Sequence, residues 1–133
     1  MGNVIKENDI NFNFALKYAI ENYKIKHFVI IGHYYCNSFK EAIYPKKGGL
    51  NNKWLKNIRQ IAEDNRYELY EPKRDPEKYE RNFCEVNIKE QIKRMGEMEI
   101  IQDYMEDGNK IYIYGLMLNG ENEDIKEIII VHS

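Results

Sequence analysis

The chain has 133 residues, 43% of them hydrophobic, which suits a single folded domain and argues against wholesale disorder. Its 20 lysines and arginines against 22 aspartates and glutamates give a net charge of −2, so it lacks the basic footprint of a nucleic-acid-binding protein. Two cysteines cannot build a disulfide framework and favour a reduced, cytoplasmic setting. The sequence contains neither a membrane-length apolar run nor a secretory signal pattern, so we expect no membrane partner.

The hydrophobic pattern predicts an α/β fold with a small sheet. Residues 27–32 form a continuous β-branched and aromatic run, which suits a strand covered on both faces in a parallel sheet. Asn119-Gly120 favours a turn between two antiparallel strands, and Asn11 or Asn13 can cap the first helix. In chain order we predict a helix at 11–24, a strand at 27–32, helices at about 38–44 and 51–63, a surface loop at 64–79, helices at 77–95 and 97–106, and strands at 110–118 and 125–131. These elements make one parallel pair and an antiparallel C-terminal edge hairpin.

A histidine and a cysteine follow the strand at 27–32. Sites in open α/β sheets lie outside the carboxyl ends of strands, and imidazole and thiolate are typical zinc ligands. His33 and Cys36 are therefore candidate ligands of one zinc ion. The spacing alone is a weak signal, because such a pair is more often packed than metal-binding.

The segments around this pair together resemble the β-class carbonic anhydrases. The zinc loop of that family reads G-H-x-x-C-G at the end of a strand, where this chain reads GHYYCN. Further similar segments are ALKYAIENYKIKH at 15–27, GLNNKWLKNIR at 49–59, CEVNIKEQI at 84–92 and the strand at 111–115. Gly2-Asn3 fits the end of the family's R-N-x-G-N segment, so the resemblance extends over nearly the whole chain.

The resemblance implies a lyase that catalyses the reversible, zinc-dependent hydration of carbon dioxide to bicarbonate. Zinc serves this chemistry by lowering the pKa of its bound water, so that hydroxide exists near neutral pH. The family also implies a homo-oligomer, either a dimer or a tetramer. By the same resemblance, His33 and Cys36 match two of the family's zinc ligands.

The other residues of this loop have roles open to them as well. Tyr34 and Tyr35 are candidates to line the substrate access, with packing as an equal alternative, and Gly32 contributes to the geometry of the loop. Asn37 stands where the family usually has glycine. Asparagine is the residue that best replaces glycine in left-handed backbone, so we expect the loop to keep its shape.

Part of the family pattern has no counterpart in this sequence. The family's C-x-D-x-R segment supplies a first Cys ligand and an Asp–Arg pair beside the zinc, whereas the first cysteine here is Cys36. The family's first two strands are missing as well. The sequence therefore predicts a single β-carbonic anhydrase-like domain over residues 1–133, incomplete at its N-terminus, with two zinc ligands where three are normal. The unpartnered edge of the strand at 27–32 is expected to be prone to association.

Three functions remain open at this stage. The first is a carbonic anhydrase seen as an N-terminally shortened form or gene model, for which activity of the isolated chain is doubtful. The second is a catalytically inactive structural or regulatory subunit of the same fold, and the third is a small metal-binding or redox module. We do not expect another residue to replace the absent ligand. Cys84 is predicted to be a packed core cysteine, His27 lies at the wrong end of its strand, and His132 lies near the C-terminus.

Overall fold

The structure is a computed structural model that describes residues 4–44, 52–69, 71–119 and 125–128, without the side chains of 52–54 and 125–128. Its elements are α1 Ile10–Tyr23, β1 His27–His33, α2 Asn37–Ile43, α3 Asn52–Asp64, α4 Pro76–Gly96, α5 Glu99–Glu106, β2 Tyr112–Leu118 and β3 Ile125–Ile128. This order confirms the α/β class. Within the described ranges, no helix is long and apolar enough to cross a lipid bilayer.

The three described strands form one sheet in the order β1-β2-β3. β1 and β2 run parallel, with His27 opposite Tyr112 and His33 opposite Leu118. β2 and β3 run antiparallel, which confirms the predicted edge pair. The predicted turn after Asn119 and the residues following β3 lie outside the described residues.

The prediction that β1 is covered on both faces is wrong. Exposure alternates along the strand, and Val29 and Ile31 are 51% and 61% exposed. The intervening residues Phe28, Ile30 and Gly32 are partly buried on the side of α4. β1 is an edge strand of the described sheet, because β2 pairs with only one of its two edges. An apolar run indicates that the faces of a strand need to be buried, but not whether the same chain supplies the residues that bury them.

The first helix is capped by Asp9 and not by Asn11 or Asn13. The Asp9 carboxylate accepts a hydrogen bond from the Phe12 backbone N–H at 3.1 Å, as an N-cap residue does. The Asn13 amide instead donates to the backbone carbonyls of Glu7 and Asp9, so it fixes the turn that precedes the helix.

The central helix α4 begins at Pro76, inside the predicted loop at 64–79. Asp75 caps it by accepting a hydrogen bond from the Lys78 N–H at 3.0 Å. Proline is favoured in the first turn of a helix, because N–H groups there have no acceptor within the helix and its lack of an N–H loses no hydrogen bond. The proline that suggested a loop therefore marks the start of a helix.

The core lies between α4 and the sheet, and α2, α3 and α5 pack against α4. Its members are apolar side chains that are almost fully buried, among them Ile58, Ile61, Phe83, Ile92, Ile101, Ile111, Ile113 and Met117. A buried polar pair joins the N-terminal segment to this core: Gln91 donates to the Asn87 side chain at 3.0 Å and accepts from the Ile5 N–H at 2.7 Å. The packing of α4 on β1 and β2 fixes the carboxyl end of β1, where the candidate ligands lie.

Candidate metal centre

His33 is the last residue of β1, and its exposed ring is held by the next peptide. Its Nδ1 lies 3.0 Å from the backbone carbonyl oxygen of Tyr34. A carbonyl can only accept a hydrogen bond, so this contact requires a proton on Nδ1, and in a neutral imidazole Nε2 then keeps its lone pair. A metal-binding histidine is commonly oriented in this way, with its second nitrogen donating to a carbonyl.

Cys36 follows three residues later and is 7% exposed. It precedes α2 as the N-cap residue, and its carbonyl oxygen accepts from the Lys40 N–H at 3.1 Å. His33 and Cys36 both line one cavity of about 510 Å³ beside β1, whose other walls are largely apolar and include Phe28 and Ile88. The fold thus brings the two predicted ligands to a common space.

These two residues match zinc by donor type but do not complete a site. The parts of the chain that the structure describes contain no group of three or more His, Cys, Asp or Glu side chains able to hold a metal ion. Catalytic zinc normally takes three protein ligands. The described residues therefore do not fit a whole catalytic zinc centre.

The other candidate ligands behave largely as predicted. Cys84 on α4 is 2% exposed, which confirms a packed core cysteine. Burial, with a smaller contribution from the neighbouring Cys36 sulfur, raises the pKa of the Cys84 thiol to about 12. His27 lies at the opposite end of β1, stacked on Tyr112 and bonded through Nδ1 to the Tyr114 hydroxyl at 2.9 Å. His132 lies outside the described residues.

The two loop tyrosines have different surroundings. Tyr34 is 2% exposed, its hydroxyl donates to a carboxylate oxygen of Glu85, and the Arg81 guanidinium carbon lies 4.5 Å from its ring centroid. Burial, reinforced by Glu85, raises the pKa of Tyr34. Tyr35 is 42% exposed. Neither tyrosine is among the described residues that line the cavity, and a role in substrate access stays a prediction.

The absence of a side chain at Gly32 allows the end of β1 to approach α4 closely. A Cβ atom at Gly32 would lie 2.7 Å from Cδ1 of Ile88 and 2.9 Å from the Met117 sulfur.

Tyr35 has a φ of 58°, in the left-handed region. Asn37 is the first residue of α2 and does not have a positive φ, so the tolerance of asparagine for left-handed backbone is not needed there; the left-handed position lies two residues earlier.

One face of α4, which was not predicted from the sequence, contacts this loop. Glu77, Arg81 and Glu85 are spaced four residues apart and therefore share one side of the helix. Each contacts a loop tyrosine: Glu85 and Arg81 meet Tyr34, and Glu77 and Arg81 lie 3.5 Å from the Tyr35 hydroxyl. The spacing was visible in the sequence, but only the fold shows which loop that face contacts.

The chain is similar in sequence to known carbonic anhydrases. The family model described as "Carbonic anhydrase" matches residues 1–125. A curated carbonic anhydrase of Emericella nidulans is 28% identical over 128 residues, which are 96% of this chain and 56% of that protein.

Among solved structures, the Coccomyxa β-carbonic anhydrase in complex with acetazolamide superposes with a TM-score of 0.84 at 24% identity, covering 97% of this chain and 58% of that one. A structure from a report on two tetrameric β-carbonic anhydrases of Sordaria macrospora has a TM-score of 0.77 at 23% identity, covering 98% and 66%. The chain thus spans little more than half the length of the first of these relatives. It belongs to the carbonic anhydrase family, and its fold is that of the β-class enzymes.

Proposed function

We propose that this chain is part or all of a zinc-dependent carbonic anhydrase that interconverts carbon dioxide and bicarbonate. One observation carries the proposal: His33 and Cys36, two donors that suit zinc, line one cavity at the carboxyl end of β1 in a chain of this family. The orientation of the imidazole, with Nδ1 turned to a carbonyl, supports its use as a ligand through Nε2.

The proposal requires at least one further ligand from residues that the structure does not describe or from another chain. Two protein ligands are one fewer than a catalytic zinc normally has. We therefore expect zinc to bind the 133-residue chain weakly, and more tightly wherever the missing ligand is supplied.

Zinc binding and carbon dioxide hydration test the proposal together. Zinc content is measured after loading and gel filtration, and hydration is followed by stopped flow with a pH indicator. Cys36→Ser and His33→Ala are expected to lower zinc affinity at least tenfold, whereas Cys84→Ala, which removes the other cysteine, is expected to leave zinc affinity near that of the parent chain. Turnover above that of free zinc, sensitive to acetazolamide, would support the enzyme.

A chain that binds zinc through neither residue would contradict the proposal. The alternative of a catalytically inactive structural or regulatory subunit is the conclusion if zinc binds through His33 and Cys36 but hydration stays at the rate of free zinc, also after mixing with a longer carbonic anhydrase subunit. The described residues hold no further feature that favours this alternative.

We further propose a homo-oligomer in a reducing cytoplasmic setting. The exposed apolar side chains of β1, Val29 and Ile31, support association, and the two free, buried cysteines support a reducing compartment. Light scattering coupled to gel filtration tests the first proposal, and a clean monomer across concentrations would contradict it. A fluorescent fusion observed in cells tests the second.

A further inference from the structure

Tyr34 lies between the two candidate ligands and is fixed to two different elements. Its backbone N–H donates to the carbonyl oxygen of Leu118, the last residue of β2, at 3.0 Å. Its hydroxyl donates to Glu85 on α4, and its ring lies beneath the guanidinium of Arg81, 4.5 Å from the centroid. With 2% of its surface exposed, the residue is fixed at both its backbone and its side chain.

The Tyr34 peptide contacts the histidine ring. The Tyr34 carbonyl oxygen accepts the Nδ1–H of His33 at 3.0 Å, so a displaced Tyr34 peptide would release that ring. The following residue, Tyr35, adopts a φ of 58°. Residues other than glycine adopt this conformation at a cost in free energy that the surrounding structure has to offset. Tyr35 lies between Tyr34, which is bonded to two elements, and Cys36, the N-cap residue of α2.

We propose that Tyr34 is a positioning residue, which orients His33 toward the candidate metal centre through its hydroxyl bond to Glu85 and its packing under Arg81. The inference rests on the proposed function, because it concerns the residue that would bind zinc. It goes beyond packing, because a tyrosine that only fills the core has no need of its hydroxyl to hold a neighbouring ring.

Tyr35 offers a matched control for the hydroxyl. Its hydroxyl also faces α4, where it lies 3.5 Å from both Glu77 and Arg81, at the limit of hydrogen bonding. Tyr35 is 42% exposed, so water can replace these contacts. Removing either hydroxyl is the same chemical change, but only the change at Tyr34 is expected to affect the histidine.

The test measures the His33 tautomer and Co²⁺ affinity in Tyr34→Phe and Tyr35→Phe. Long-range ¹H–¹⁵N NMR reports which ring nitrogen carries the proton, with the signals assigned through His33→Asn. Co²⁺ binding is followed by the thiolate-to-cobalt absorption of Cys36. We expect one Nδ1–H tautomer in the parent chain and a mixture in Tyr34→Phe, with Co²⁺ affinity lowered about tenfold or more, as for lost partners of metal-binding histidines. Tyr35→Phe should match the parent in both measurements.

Variants of Glu85 provide a second route if Tyr34→Phe fails to fold. Glu85→Gln keeps an acceptor oxygen and should keep the tautomer, whereas Glu85→Ala should reproduce the mixture. In a folded double variant, Tyr34→Phe should add little to the tautomer change caused by Glu85→Ala, because both substitutions remove the bond between these two side chains.

The outcomes separate the two proposals. A folded Tyr34→Phe protein with the parent tautomer and parent Co²⁺ affinity would overturn the positioning role even if zinc binds as proposed. If the parent chain binds neither Zn²⁺ nor Co²⁺ while the tautomer still shifts in Tyr34→Phe and Glu85→Ala, the positioning role is supported and the proposed function falls.

Discussion

Replacing Gly32 with alanine tests how closely β1 approaches α4. The added Cβ would lie 2.7 Å from Cδ1 and 2.9 Å from Cγ1 of Ile88, and 2.9 Å from the sulfur of Met117. These separations are well below van der Waals contact, and overpacking of a core costs about 1–3 kcal/mol. Alanine also restricts the unfolded chain, which stabilises by about 0.4–1 kcal/mol. Overpacking outweighs this gain, so we expect Gly32→Ala to lower the free energy of unfolding by up to about 2.6 kcal/mol.

A second substitution identifies the cause. Ile88→Val removes Cδ1, the nearest atom to the new Cβ. In the parent chain this change should cost about 0.5–1.5 kcal/mol, because it leaves a small void. In Gly32→Ala it should cost at least about 0.5 kcal/mol less, because it relieves the close contact. Urea unfolding followed by far-ultraviolet circular dichroism measures all four proteins.

Gly108→Ala is the matched control. Gly108 has a φ of 83°, and an added Cβ there meets nothing within 4 Å. The substitution should cost about 1–2 kcal/mol through backbone strain alone, and Ile88→Val should not relieve it. Equal costs of Ile88→Val in the parent and Gly32→Ala proteins would refute the close approach, as would a Gly32→Ala protein as stable as the parent.

Three further changes test the cap of α4, the buried polar pair and the exposed apolar side chains of β1. Asp75→Ala should lower the free energy of unfolding by about 1 kcal/mol in urea titrations, because α4 loses its N-cap, whereas Asp75→Asn should retain most of it. Gln91→Met should cost about 1–3 kcal/mol in the same titration, because the Ile5 N–H loses its acceptor, and an unchanged midpoint would contradict that bond. Val29→Lys with Ile31→Lys should reduce association in light scattering with little effect on secondary structure; unchanged association would place the contact surface elsewhere.

The elements could be predicted because their periodicity is local. Helix and strand bounds agree with the prediction within about two residues up to the start of β3, since apolar spacing and prolines act over short distances. The cap of α1 could not be predicted, because Asp9, Asn11 and Asn13 all supply acceptor oxygens and only the backbone geometry selects among them. The prediction that both faces of β1 are covered failed for a different reason. Burial depends on what lies beside the strand, which the residues of the strand do not encode.

The candidate site also has features that the sequence predicts and features that it does not. That His33 and Cys36 line one cavity could be predicted, because a short loop at the end of a strand carries both residues. The bond between Tyr34 and Glu85 could not, because 51 residues separate them in the chain. Sequence spacing reveals groups that one loop or one helix face brings together, whereas groups held by two elements depend on the packing of those elements.

The position of β1 links the exposed edge to the candidate metal centre. In the described sheet β2 pairs with one edge of β1, and His33 ends the same strand. A segment or subunit that paired with the other edge would lie about 4.8 Å from the β1 backbone, close enough to place a side chain beside His33. If such a segment supplied the missing ligand, metal and partner would each strengthen the binding of the other by the same factor, because coupling free energies are reciprocal. Weak zinc binding by the separate chain and association through β1 would then be two consequences of one incomplete sheet edge.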